Sequence, residues 1–206
     1  MKRMQTGRTT IHLIGIDEAG RGPLAGPVAV GAFAVRSAAV LRSFRGVKDS
    51  KQLSEKQREE WFARIKMAVR NGEAVYAVAF ARPETIDGRG LSHAIYSALN
   101  RTLSRLEARG VDCPSAKIFL DGSLYASARY SDQTTIIDGD AKEPIIALAS
   151  ICAKVLRDRR MKKLAREFPQ YGFEVHKGYG TKAHYAAIKK YGMIADHRRS
   201  FLTKVL

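Results

Sequence analysis

Two adjacent carboxylates, Asp17 and Glu18, end an apolar run, Ile11-His-Leu-Ile-Gly-Ile16, and lead directly into Ala19-Gly-Arg-Gly-Pro-Leu-Ala-Gly-Pro27. The run has the aliphatic and β-branched character of a buried strand stopped by a glycine-rich stretch. Unpaired buried carboxylates are costly, so such groups ionise beside cations or metal. The Gly20-Arg21-Gly22 turn leaves backbone amides open to a closely approaching ligand, with one cation beside them. A metal site facing a phosphate would have this composition.

Two further sites repeat the pattern. Lys117-Ile-Phe-Leu-Asp121 is a strand that ends on an acid followed by Gly122, and the short strand Thr134–Ile137 leads into Asp138-Gly139-Asp140. Taken singly, each has an ordinary alternative: a strand-end residue or helix cap for Asp17 or Glu18, a turn for Asp121-Gly122, and loop acids for Asp138 and Asp140, of which only one need act. Three strand-end acid sites in one strongly basic chain favour a joint role. Open α/β sheets bind ligands beyond the carboxyl ends of their strands. If these ends are neighbours, four carboxylates converge and need divalent cations. Oxygen-only ligation selects Mg²⁺ or Mn²⁺ over zinc, and two such ions about 3.5–4 Å apart suit an in-line phosphoryl displacement.

The elements that must position these acids belong to a chain of 206 residues, enough for one well-cored domain. Lys+Arg 36 against Asp+Glu 20 gives a formal net charge of +16, which favours a polyanionic partner, nucleic acid being the commonest. The excess is uneven: residues 151–206 carry 14 Lys/Arg and 4 Asp/Glu, making the last quarter the expected backbone-gripping surface. There Lys177, Lys182, Lys189, Lys190, Arg198 and Arg199 are expected to track duplex phosphates. Cys113 and Cys152 have no metal-ligand spacing and fit a reducing compartment. No apolar stretch is long enough for a membrane span, and Asp17 and Glu18 interrupt the first run too early for a signal peptide, so the protein is expected in the cytoplasm with no membrane partner.

Pro27–Val35 is expected to be a second strand and Ala74–Phe80 a third. Ser54 and Gln57 have capping-box spacing at the start of a helix through about Arg70, with Trp61, Phe62, Ile65 and Val69 as its apolar stripe. Helices are also expected over Leu91–Ala108, Pro144–Phe168 and from the Thr181 cap to Tyr191. The helix from Pro144 is almost wholly apolar in its first half and belongs at the centre. Along it Ser150, Lys154, Arg157 and Asp158 make one polar face, with Lys154 either a phosphate contact or a solvent-exposed or salt-bridged lysine. Lys51, in the loop after Asp49-Ser50, has the same two options. The mixture predicts an α/β sheet flanked by helices, with a basic helical C-terminal region.

These residues resemble a known family. Gly15–Pro27, Asp49–Ser54, Phe119–Gly122, Gly139–Lys142, Ala149–Asp158, Phe168–Phe173, His176–Thr181 and His197–Phe201 follow in order the blocks of bacterial ribonuclease HII, the type 2 ribonuclease H family. The resemblance implies one ribonuclease-H-like domain over 1–206: a mixed β-sheet flanked by helices to about 165, and a basic helical extension over about 166–206. It implies an endonuclease that leaves 3′-hydroxyl and 5′-phosphate ends. Its substrates would be RNA–DNA hybrids and DNA containing single ribonucleotides, cut 5′ of the ribonucleotide, with a role in removing misincorporated ribonucleotides and RNA primers.

The family's catalytic and metal-binding acids fall on Asp17, Glu18, Asp121 and Asp140, with Asp138 a nearby competitor for the fourth place. Two divalent ions, Mg²⁺ or Mn²⁺, are implied. The family's ribose-reading turn falls on Gly20, Arg21 and Gly22, and its junction-sensing tyrosine on Tyr179, where a packing aromatic is the alternative. Lys51 and Lys154 are the further substrate-binding residues expected here. The 2′-hydroxyl is what distinguishes RNA from DNA at a site. Two blocks depart from the usual form, Ile86-Asp-Gly-Arg-Gly-Leu91 and Ala147-Leu-Ala-Ser150, and neither touches an acid. The Gly-Arg-Gly form argues against the related type 3 enzymes. A monomer without a sliding-clamp-binding tail beyond Lys204-Val-Leu206 is expected. The rival is a non-catalytic basic nucleic-acid-binding protein, which accounts for the charge but not for acids at several strand ends.

Overall fold

The computed structural model describes residues 13–203. In chain order the elements are β1 (Leu13–Ala19), β2 (Val28–Val35), α1 (Ala38–Arg42), α2 (Glu55–Arg70), β3 (Ala74–Ala81), α3 (Pro83–Arg89), α4 (Leu91–Glu107), β4 (Lys117–Asp121), β5 (Gln133–Ile136), α5 (Gly139–Lys142), α6 (Pro144–Glu167), α7 (Phe173–His176) and α8 (Lys182–Tyr191). The first strand is expected from Ile11; Ile11 and His12 lie outside the described residues, as do Lys204, Val205 and Leu206.

The five strands form one mixed sheet in the order β3-β2-β1-β4-β5. β1, β2 and β3 make an antiparallel meander, and β4 and β5 add parallel to the other side of β1. Alternation along β2 builds two cores. Val28, Val30, Ala32 and Ala34 join Ile14, Ile16 and the apolar stripe of α4 on one face. Ala29, Phe33 and Val35 join α2 and α6 on the other. The result is a sheet between two helical layers. A third cluster packs Leu24 and Ala25, just after β1, against Met161, Leu164, Tyr171, Phe173 and Ile188.

Local signals account for several boundaries. In α2 the Ser54 side chain accepts from the Gln57 N–H, and the Gln57 side chain accepts from the Ser54 N–H, closing both halves of the capping box. Pro144 opens α6, where its missing N–H costs nothing. The short helices α1, α3, α5 and α7 were not expected from periodicity, because one or two turns carry no resolvable 3.6-residue pattern. Among the described residues no helix is long and apolar enough to cross a membrane.

Candidate metal and nucleic-acid site

Strand register brings the acids together. β1 and β4 are parallel neighbours with Ile16 opposite Leu120, so Asp17 and Asp121 are the next residues at the same sheet end. Asp121 in turn pairs with Ile136 of β5, and the chain re-enters the site through Gly139. Asp138 takes the left-handed conformation (φ 54°) and is exposed, whereas Asp140 is 5% exposed. The structure therefore turns Asp140 into the site and Asp138 out of it. One Asp121 Oδ1 accepts from the Gly139 N–H at 2.7 Å and the Asp140 N–H at 3.3 Å. Gly139 suits this close approach: a Cβ there would lie 2.6 Å from Ile146 Cδ1 and 3.2 Å from that oxygen.

Carboxylate oxygens of Asp17, Asp121 and Asp140 all lie within 4.8 Å of one another. Glu18, the fourth expected acid, stands beside this trio, and its Oε1 accepts from Arg21 Nη1 at 3.0 Å. Burial holds the Asp17 carboxyl well above the usual carboxylate range, reinforced by the charges of Glu18 and Asp121 and opposed by a hydrogen bond from Ser150. Burial also raises Glu18, against the pull of Arg21. One cation meets the trio directly: Lys51 Nζ donates to Asp140 Oδ2 at 2.8 Å, and this bond raises the lysine's own pKa. The Lys51 side chain is 73% exposed, so it lies on the rim of the site.

This donor set fits a divalent cation: hard oxygen ligands, buried, converging and short of positive charge. A divalent ion bound there would screen the charge of a phosphate and make a bound water more acidic.

The Gly20-Arg21-Gly22 turn sits beside the acids, with Arg21 bonded to Glu18. Gly20 is buried with φ 93°, and a Cβ there would fall 2.0 Å from Arg157 Nε, so only glycine fits. Arg21 and Gly22 are exposed, and the Gly22 Cβ position lies 3.9 Å from the Tyr179 ring. Tyr179 is itself 44% exposed and borders the turn.

The polar face of α6 divides into three. Ser150 faces Asp17 and shares a 2.8 Å hydrogen bond with Ser50, a residue not singled out in the sequence despite its place in Asp49-Ser50-Lys51. Lys154 donates to Asp158 Oδ1 at 2.9 Å, Arg58 approaches the same carboxylate, and burial lowers the lysine's pKa. The salt-bridged alternative for Lys154 is thus the arrangement present, and the side chain is only 21% exposed. Arg157 is fully buried and donates to the carbonyls of Pro27, Ala25 and Lys177.

Arg198 does not track phosphates as its charge suggested. It is 0% exposed, and its guanidinium donates to the carbonyls of Gly20, Arg21 and Gly26, so burial and the neighbouring Arg157 push its pKa down to about 9. Three fixed carbonyls in a concave loop match the planar donor fork of the guanidinium and partly offset its loss of water. Lys177 is also largely covered and turned toward Glu55 and the Glu174 carbonyl. Lys182, Lys189, Lys190 and Arg199 remain exposed.

A family model described as Ribonuclease HII matches residues 14–204. Ribonuclease HII of Coxiella burnetii is 42% identical over 193 residues, covering 94% of this chain and 89% of that protein. Two solved structures share the fold at similar coverage. The RNase HII in a PCNA complex from Archaeoglobus fulgidus has a TM-score of 0.71 at 26% identity, covering 91% of this chain and 93% of that one. Ribonuclease H2 from Pyrococcus horikoshii has a TM-score of 0.65 at 30% identity, covering 91% and 92%.

Proposed function

The chain belongs to the ribonuclease HII family, and on that premise we propose how its own residues carry out ribonuclease H cleavage. It is an endonuclease of nucleic acid, and the substrates are RNA–DNA hybrids and DNA duplexes holding single ribonucleotides. The observation that carries the reading is the convergence of Asp17, Asp121 and Asp140 within 4.8 Å, beside a turn whose Arg21 and Gly22 are exposed and a half-exposed tyrosine.

Asp17 and Asp121, from adjacent parallel strands, would hold the divalent cations, two in number and Mg²⁺ or Mn²⁺ in kind, with Asp140 as a further ligand. Glu18, bonded to Arg21, would position water beside them. The backbone of Gly20, Arg21 and Gly22 meets the ribose 2′-hydroxyl, and Tyr179 packs on the sugar that follows. Lys51 already neutralises Asp140 and is placed to meet the incoming phosphate. Lys154 acts at one remove: it balances the charge of Asp158 on the polar face of α6 and makes no direct phosphate contact. Water attacks the phosphorus 5′ of the ribonucleotide as its bond to the leaving 3′-oxygen breaks; the water gives up a proton to solvent and the 3′-oxygen takes one from solvent, giving 3′-hydroxyl and 5′-phosphate ends. The whole site comes from one chain, so a monomer suffices. Both cysteines are unpaired and buried, which suits the cytoplasm.

The test is cleavage of a DNA duplex containing one ribonucleotide, with Mg²⁺ or Mn²⁺, against an all-DNA control. A nick on the 5′ side of the ribonucleotide, absent from the control, is expected. Tight binding with no nick under either metal would favour the non-catalytic binder instead.

Binding should also weaken with salt. Exposed Lys182, Lys189, Lys190 and Arg199 lie in the basic C-terminal region, and each phosphate neutralised contributes about −0.9 to the slope of log K against log salt. Titration of hybrid binding between low and physiological salt reads this slope. A flat dependence would remove the C-terminal region from the interface.

A further inference from the structure

Two neighbouring side chains distant from the acids in sequence reach both halves of the ribose-reading surface. The backbone of 196–198 is stitched to the segment after β1: Ala25 and His197 form a β-bridge, the Gly26 N–H donates to the Asp196 carbonyl at 2.8 Å, and the Arg198 N–H donates to the Leu24 carbonyl at 2.7 Å. From this base Arg198 points under the turn. Its Nη2 donates to the Gly20 carbonyl and its Nη1 to the Arg21 carbonyl, both at 2.7 Å. In a trans peptide the C=O and the following N–H point in opposite directions. Pulling these two carbonyls inward onto a fully buried guanidinium therefore turns the N–H groups of Arg21 and Gly22 outward, on the exposed side of the turn.

His197 reaches the other half. Its Nδ1 accepts from the Ile194 N–H at 3.0 Å, so its proton resides on Nε2. That Nε2 faces His184 Nε2 at 3.1 Å, and only one of the two can carry a proton there. His184 is therefore the acceptor, and its own proton lies on Nδ1, donated to the Tyr179 carbonyl at 2.9 Å. The chain of bonds runs in one direction, from the Ile194 amide through two neutral imidazoles to the backbone of Tyr179. Both rings are buried against Phe173, and burial keeps them neutral, lowering His197 to about 4.

We infer that His197 and Arg198 form one positioning element for ribose recognition: Arg198 aims the backbone donors of the Gly-Arg-Gly turn, and His197, through His184, holds Tyr179 beside them. The inference rests on the reading of that turn and Tyr179 as the ribose contacts. Neither residue touches substrate, so their replacement should change discrimination between RNA and DNA rather than general affinity for duplex.

The experiment compares binding of a duplex holding one ribonucleotide with binding of the all-DNA duplex, in an Asp17→Asn background that prevents cleavage. Arg198→Lys replaces three directed donors by one ammonium, and His197→Phe keeps the ring but removes the relay. Each is expected to lower the ratio of the two affinities about tenfold, as for loss of a buried hydrogen bond to a charged or fixed group, with all-DNA binding unchanged. His197→Gln, which restores an amide donor, should recover most of the ratio. An unchanged ratio in folded Arg198→Lys and His197→Phe would overturn the inference, as would equal weakening on both duplexes.

Tyr179→Ala separates the two levels. If it lowers the ratio and the other variants do not, the ribose reading stands and the positioning element falls. If it too leaves the ratio unchanged, the ribose reading itself fails. Nitrogen NMR of the wild-type imidazoles needs no variant: a proton on His184 Nδ1 and on His197 Nε2 is expected, and the opposite tautomers would overturn the relay.

Discussion

Asp17→Asn is expected to lower kcat by on the order of 10³-fold or more and, in the absence of metal, to stabilise the fold at neutral pH. The first effect follows from charge. A metal-held phosphate contributes several kcal/mol of transition-state stabilisation, and each 1.36 kcal/mol is tenfold. Asparagine keeps the shape of Asp17 and an oxygen to accept the 2.7 Å bond from the Glu18 N–H, but it supplies no negative charge to the trio.

The second effect follows from linkage. Burial and the neighbouring Glu18 raise the folded-state pKa of Asp17 above its unfolded value, so the folded protein binds this proton more tightly. The stability this contributes is fully present below the unfolded carboxylate pKa and is lost as pH rises through the raised value. Metal-free wild-type protein should therefore lose stability on going from mildly acidic to neutral pH, and the variant should lose less. Added Mg²⁺ should restore the wild type by mass action and the variant much less. Thermal unfolding in EDTA and in Mg²⁺ at the two pH values reads all of this. Wild-type turnover by the variant, or an identical pH slope, would remove Asp17 from the centre of the site.

Gly15→Ala should be the most destabilising small substitution in the sheet. A Cβ on Gly15 would lie 2.2 Å from the Ile145 carbonyl oxygen, 2.4 Å from its carbon and 2.8 Å from the Ile146 nitrogen. These are backbone atoms in the first turn of α6, so no side-chain rotation relieves the clash. Gly31 on β2 meets the same helix one turn on, with its Cβ position 2.6 Å from the Ala149 carbonyl oxygen. Overpacking a core typically costs 1–3 kcal/mol, and a helix that must move as a body places Gly15→Ala at about 3 kcal/mol or more. At roughly 2–4 °C per kcal/mol, Tm should fall by about 6–12 °C.

Activity should fall with it, because α6 carries Ser150 against Asp17 and Ile146 against Gly139. Gly88→Ala is the control: its Cβ meets nothing within 4 Å in α3, and helix propensity favours it by up to about 1 kcal/mol. A Gly15→Ala melt within a degree or two of wild type would show that α6 adapts and that close helix–sheet approach does not hold the site.

Much of this was legible in the chain. The capping box placed the start of α2, Gly122 and Asp121 marked the end of β4, and the apolar half of α6 declared its burial, because each signal is local and short in range. The acid-ended strands already named the chemistry, and the ordered motifs named the family. Burial of individual charges was not legible. Composition counts Arg198 as one more surface cation, yet it is enclosed by carbonyls from residues more than 170 positions away in sequence.

The same limit governs the site. Asp138 and Asp140 are equal in type and two residues apart, and only the left-handed turn at Asp138 sends one outward and the other inward. Glu18 adjoins Asp17 in sequence, but successive strand residues point to opposite faces, and Glu18 bonds Arg21 outside the trio. By itself the sequence determined which groups could act and which elements would carry them, since periodicity and caps are written within a few residues. The tertiary structure alone decided which groups meet, because convergence depends on strand order, register and the closeness of one helix, and these are set by contacts between residues distant along the chain.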